Sequence, residues 1–160
     1  MDARVTGTAG AGTADGAADQ ALADQAAITR LTHDYCWALD TKDWEALRDV
    51  FVPDVVAHLS RELHGVDAVI ERISGALGRL DDSQHLVATH QIDVDGDTAV
   101  GRCYLQAQHV RRGTDGGDNY MVGGRYEDRY VSTPAGWRIA ERRLVVMWVD
   151  GNPAVVRFDG

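Results

Sequence analysis

Asp40 stands where a helical stripe of apolar residues stops, and His85 opens the first long alternating stretch of the chain's second half. An acid at a helix C-terminus opposes the helix dipole, so Asp40 calls for some other partner. A histidine titrates near neutral pH and therefore suits proton transfer. Along its stretch His85 shares one face with Val87, Thr89 and Gln91, while Leu86, Ala88, Ile92 and Val94 form the more apolar face. In a flat one-sided sheet His85 would look outward. In a cone, the less apolar face near one end can line a cavity. His109 ends the next strand, on the face of Cys103, Leu105 and Ala107, and is a second pocket candidate. Arg142 and Arg143 are adjacent in a strand, so they face opposite ways. The inward one needs an anionic ligand or a carboxylate, for which Glu127, Asp128 and Glu141 are available.

Other chemistries find no footing. Cys36 lies between Tyr35 and Trp37 in an apolar helix and reads as a buried structural thiol. There is no HExxH, no CxxC, no G-x-S-x-G and no Walker pattern, so neither a metal site nor a nucleophile elbow is expected. His33, His58, His64 and His90 read as surface or satisfied residues. Gly123-Gly124 inside a strand marks a bend or bulge. The 160 residues carry 16 Lys+Arg against 25 Asp+Glu, a net charge of −9. That balance argues against nucleic acid and against an anionic membrane surface, because both require a basic patch. No apolar run reaches the roughly 18 residues of a membrane span, and no signal-peptide pattern opens the chain. A cytoplasmic location is expected.

The elements that must position these residues follow from periodicity. Residues 1–20 are mostly Ala, Gly, Thr and Asp and read as a disordered leader that can turn helical toward its end. Ile28, Leu31, Tyr35 and Leu39 form one helical stripe. Asp43 can cap a short second helix carrying Trp44, Leu47 and Phe51, which Pro53 ends. Val55 to Leu59 reads as a strand, and a third helix follows Gly65. The second half alternates: Gln84–Val94, Ala99–Val110, Asn119–Val131 and Trp137–Val149 read as strands, with turns at Asp95-Gly96-Asp97 and Thr133-Pro134-Ala135-Gly136. Helices followed by an antiparallel meander make an α+β fold. The domain then spans 21–152, with a tail over 153–160.

The run Ile28-xx-Leu31-xxx-Tyr35-xxx-Leu39-Asp40-xx-Asp43-Trp44-xx-Leu47-xxx-Phe51-x-Pro53-Asp54 resembles the opening of the SnoaL-like families. Ser83-Gln84-His85, Asp95-Gly96-Asp97-Thr98-Ala99, Gly124-Arg125-Tyr126-x-Asp128-x-Tyr130 and Gly136-Trp137-Arg138-Ile139 continue the resemblance in order. It implies a cystatin-like, nuclear transport factor 2-like cone: a curved antiparallel sheet packed against three N-terminal helices. Within that superfamily the chain is most similar to the branch of scytalone dehydratase, bile-acid 7α-dehydratase and hexachlorocyclohexane dehydrochlorinase. The resemblance implies an Asp–His dyad of Asp40 and His85, with Tyr35 and Arg142 as polarising groups and no metal or organic cofactor. It also implies substrate contacts at Trp44, Phe51, Leu105, His109 and Tyr126. The implied activity is a dehydratase-type β-elimination or related isomerisation of a hydrophobic small molecule. A polyketide-cyclase-like reaction and a non-catalytic binding module of the same fold are the alternatives. Relatives commonly assemble as homodimers or homotrimers through the open sheet face, so one of these states is expected.

Overall fold

The apolar stripe of Ile28, Leu31, Tyr35 and Leu39 is buried along one side of a 30-residue helix, α1, over Ala11–Asp40. The structure is a computed structural model that describes the backbone of residues 11–157 and the side chains of 16–157. Ten residues assigned to the leader, Ala11–Gln20, are therefore helical; the rest of that segment lies outside the described residues. Composition weighs burial alone, whereas alanine needs none to stay helical, and here it extends a helix already anchored further along. Side-chain bonds fix α1 on the sheet, two of them near its middle. Trp137 Nε1 donates to Asp24 at 2.9 Å and Gln25 donates to the Ile92 carbonyl at 3.1 Å.

After α1 comes one 3₁₀ turn, Glu45–Asp49, shorter than the helix expected there. Asp43 Oδ1 accepts from the Ala46 N–H at 3.3 Å. Phe51 and Pro53 belong instead to strand β1, Phe51–His58. Pro53 is tolerated because it falls where the β1 ladder is interrupted, between Phe51 and Val56. A three-residue strand β2, Glu62–His64, returns antiparallel and was too short to show in the periodicity. Helix α2 spans Val66–Leu77 and buries Val66, Val69, Ile73 and Leu77.

The four long strands are β3 (Asp82–Asp95), β4 (Thr98–Val110), β5 (Asn119–Thr133) and β6 (Gly136–Gly151). They form an antiparallel meander in a sheet of order β2-β1-β6-β5-β4-β3. The sheet is mixed, because β1 runs parallel to β6. An all-antiparallel sheet was expected; the α1 excursion before β1 leaves that strand entering the sheet from the other end.

Irregularities in the ladders set which residues face inward, and one between Arg129 and Tyr130 on the β6 side turns Arg142 inward after Trp137 and Ile139. Thr89, at φ 57°, makes a bulge in β3 between Ala88 and Gln91. Before it His85 and Val87 point inward; after it His90, Ile92 and Val94 do. The single apolar face expected for Leu86, Ala88, Ile92 and Val94 is thus split, and Leu86 is exposed. In β5 the ladder to β6 slips between Gly123 and Gly124. A Cβ on Gly124 would stand 2.5 Å from the Val145 carbonyl oxygen, so the bend needs glycine.

Pro153–Val155 forms a 3₁₀ turn capped by Asn152 Oδ1, and Val155 is fully buried, so this part of the expected tail belongs to the fold; residues 158–160 lie outside the described residues. No helix of the described residues is long and apolar enough to cross a membrane.

Candidate active site

Between α1, α2 and the inner face of β3–β6 lies a cavity of about 350 Å³. Tyr35, His85, Leu105, His109 and Tyr126 line its buried floor, while the half-buried Leu59, Arg72 and Val156 and the exposed Ser60 and Val146 form its rim.

Asp40 and His85 meet at this floor. His85 Nδ1 lies 2.7 Å from Asp40 Oδ1, and the His85 backbone N–H donates to Asp40 Oδ2 at 2.8 Å. Ser83 Oγ donates to Asp40 Oδ1 at 2.9 Å. This answers the question raised by an acid at a helix end: three donors from the start of β3 hold it. Burial pushes the Asp40 carboxyl up, but the His85 and Ser83 bonds outweigh it and the net direction is down. A carboxylate only accepts, so Nδ1 carries the proton in neutral His85. Nε2 is then a lone-pair nitrogen with no protein partner among the described residues, and His85 lines the cavity. Behind the dyad, Trp37 and Leu86 border an outer groove that leaves Asp40 in reach of water. Only 5% of the His85 side chain is accessible, against 18% for Asp40.

His109 faces His85 edge-on, with ring centroids 5.8 Å apart. Its Nδ1 sits 3.2 Å from the Tyr120 carbonyl, which can only accept, so His109 also carries its proton on Nδ1. Burial, helped by the neighbouring His85, pushes its pKa down to about 4. His109 is therefore a neutral acceptor at pH 7 and has no proton to give a leaving group.

Opposite stand two phenols. Tyr35 and Tyr126 pack edge to face at 5.7 Å. Burial raises both pKa values, most strongly for Tyr126, where Tyr35 adds to it. Both hydroxyls stay protonated and can donate to a developing oxyanion.

Arg142 sits differently from what the resemblance implies. It is fully buried and does not line the cavity. Its guanidinium lies 4.2 Å from the Tyr35 ring centre and 4.0 Å from that of Tyr126, sandwiched behind both. Asp128 neutralises it through two bonds of 2.9 and 2.7 Å, and Tyr130 donates to the same carboxylate at 2.9 Å. Arg142 can thus act on the cavity only through the two tyrosines. Of the carboxylates offered by the sequence, Asp128 is the partner, because it is the inward residue opposite Arg142 in the β5–β6 ladder.

Leu105, His109 and Tyr126 do line the cavity. Phe51 and Trp44 do not. Phe51 is core, packed on Tyr35 at 5.8 Å, and Trp44 is a half-buried flank of that core. Both were expected on a second helix; Trp44 instead precedes the 3₁₀ turn and Phe51 opens β1. Tyr120 and Val122 were missed, although alternation from Tyr126 back along β5 marks their face. Rim residues Arg72 and Ser60 lie on α2 and before β2, where no pattern singled them out. The Cys36 thiol is pushed up to about 12 by burial and stays protonated, as befits a structural cysteine. Among the described residues no cluster of His, Cys, Asp or Glu could hold a metal ion.

Residues 20–143 match the SnoaL-like domain family. The uncharacterized protein Rv2910c of Mycobacterium tuberculosis strain H37Rv is 34% identical over 125 residues, which cover 76% of this chain and 84% of that protein. A solved scytalone dehydratase candidate from Novosphingobium aromaticivorans is 25% identical, with a TM-score of 0.77 over 84% of this chain and 91% of its own. The hexachlorocyclohexane dehydrochlorinase LinA-type3 from Novosphingobium barchaimii is 15% identical, with a TM-score of 0.72 over 87% and 97% of the two chains, and shows the shared fold alone. With the helices, the curved mixed sheet and the family match in agreement, this chain belongs to the SnoaL-like family and has the nuclear transport factor 2-like fold.

Proposed function

We propose that the protein is a cofactor-independent lyase that removes water by β-elimination from a hydrophobic hydroxy-carbonyl compound, with isomerisation as the sibling reaction. The observation that carries this reading is the Asp40–His85 bond, which fixes one tautomer and leaves Nε2 as a base beside a largely apolar cavity. The dehydratase reading of the structural relative supports the same direction. In the proposed reaction His85 Nε2 takes a proton from the carbon beside the substrate carbonyl. The C–H electron pair moves to the carbonyl oxygen, where the Tyr35 and Tyr126 hydroxyls stabilise the enolate. Asp40 balances the imidazolium. The carbonyl then reforms, the β carbon–oxygen bond breaks, and the leaving hydroxide takes the proton from His85 and departs as water. An isomerase would return that proton to another carbon.

The test is a thermal-shift screen of aromatic and steroid-like hydroxy-ketones, followed by NMR of deuterium uptake at the carbon next to the carbonyl. Wild-type protein should exchange that proton and release water, and His85→Ala should keep the fold and lose both. Exchange unchanged in His85→Ala would exclude His85 as the base. Ligands that shift the melting temperature without any exchange would favour a binding module, and ring closure without loss of water would favour a cyclase.

A further inference from the structure

Arg72 is, among the described residues, the one Asp, Glu, Lys or Arg that lines the cavity. It projects from α2 at the rim and is only partly exposed. Its Nε donates to Ser60 Oγ at 3.0 Å, which anchors the guanidinium plane across the gap between α2 and the β1–β2 turn. Neither terminal nitrogen has a hydrogen-bond partner, and no carboxylate pairs with the group among the described residues. Other arginines near acids are satisfied within the protein: Arg48 by Glu45 and Asp67, Arg112 by Asp82, Arg142 by Asp128. In a chain of net charge −9, a free and oriented cation at an apolar mouth is the exception. Its neighbours there, Leu59, Ile73 and Val146, offer nothing to neutralise it.

We infer that Arg72 and Ser60 form a rim subsite for a carboxylate, so that the substrate is an amphipathic anion: an apolar body reaching the His85 floor and an acidic group held at the entrance. A planar guanidinium with both terminal nitrogens free matches a carboxylate through two parallel bonds. The partly enclosed position shields that pair from solvent, and a cation at the mouth also draws anions toward an otherwise acidic molecule. This inference rests on the cavity being the substrate site, but it concerns binding and not proton transfer.

The probes are 4-(2-naphthyl)butanoate and its primary amide, identical in shape and differing in charge. Dissociation constants are measured by calorimetry for wild type, Arg72→Gln and Ser60→Ala at low and high salt, with circular dichroism as the check on folding. The butanoate should bind Arg72→Gln on the order of tenfold more weakly than wild type, with the amide unchanged. Ser60→Ala should give a smaller loss of the same kind. Salt should weaken butanoate binding to wild type and leave Arg72→Gln almost indifferent. Equal affinity of the two proteins for the butanoate, or equal weakening of both probes, overturns the inference. Should 2-naphthyl phosphate alone show the Arg72-dependent gain, the carboxylate assignment fails in favour of a phosphate. Deuterium exchange is lost in His85→Ala whatever the charge at the rim, and the preference for butanoate over amide is lost in Arg72→Gln whatever the exchange, so a failed base and a failed rim subsite are separately visible.

Discussion

Asp40 and His109 illustrate how one floor holds two histidine-centred contacts with different roles. Asp40 ionises more readily in the fold than in the unfolded chain, so it adds stability above the ordinary Asp range that is lost as pH falls through its lowered folded value. Asp40→Asn should be less stable than wild type at pH 7, and the gap should narrow below about pH 4, as followed by urea unfolding. Turnover should drop by about two orders of magnitude or more, since the imidazole loses its orienting charge. His109 has the opposite protonation logic. Unfolded, it binds a proton below about pH 6.5; folded, it resists until about 4. The unfolded state holds more protons in that window, so stability must rise with pH across it. A His109→Phe variant should show a flatter stability profile between those two values, by up to ~3 kcal/mol over the full window. A ¹⁵N spectrum of the wild-type ring should show the Nδ1–H tautomer at pH 7; an Nε2–H form would contradict the Tyr120 bond.

At the scale of elements, the bulge at Thr89 decides that His85 looks into the cavity. A side chain at φ 57° is strained, and a β-branched one more so. Thr89→Gly should therefore stabilise the protein by up to about 1 kcal/mol in thermal unfolding, the relief of strain outweighing the added chain entropy. Gly124 works in the other direction. Its missing side chain makes room for the Val145 carbonyl, so Gly124→Ala should cost about 2 kcal/mol or more, visible as a lower melting temperature. Gly123 is less demanding, because the crowding atoms there belong to the half-exposed Trp148 indole, which can move. These two irregularities also mark the limit of what the amino-acid pattern told in advance. Period-two alternation located β3, β4, β5 and β6 and put Cys103, Leu105, Ala107 and His109 on the right face of β4. It failed in β3, because a bulge shifts alternation by one and Thr89 has no turn-forming signature. The pairing of Asp40 with His85 came from the resemblance, since 45 residues separate them and no local signal couples a helix end to a strand start. That one of Arg142 and Arg143 faces inward was legible from alternation, but which one, and its enclosure behind Tyr35 and Tyr126, depends on how the elements pack together.

For the whole molecule, the question is what covers the sheet face turned away from the cavity. Tyr104 and Met147, each 53% exposed, lie there with Arg102 and Arg125 around a depression of about 300 Å³. Large apolar side chains left open together are a common mark of an interface. The charges beside them favour a second copy of this chain as the partner. Arg102 pairs in register with Glu127, and Glu127 with Arg143, so three neighbouring strands present the signs plus, minus, plus. Such a row can meet its own two-fold image with arginine set against glutamate, which is the self-complementarity that an isologous contact requires. A charge placed inside the apolar part would break that contact without touching the cavity. Sedimentation of wild type should therefore give a homodimer, and the double variant Tyr104→Glu, Met147→Lys should sediment as a monomer with its circular dichroism unchanged; a homotrimer would contradict the two-fold contact. Monomeric wild type at tens of micromolar, or a double variant that assembles like wild type, would rule this face out as the interface.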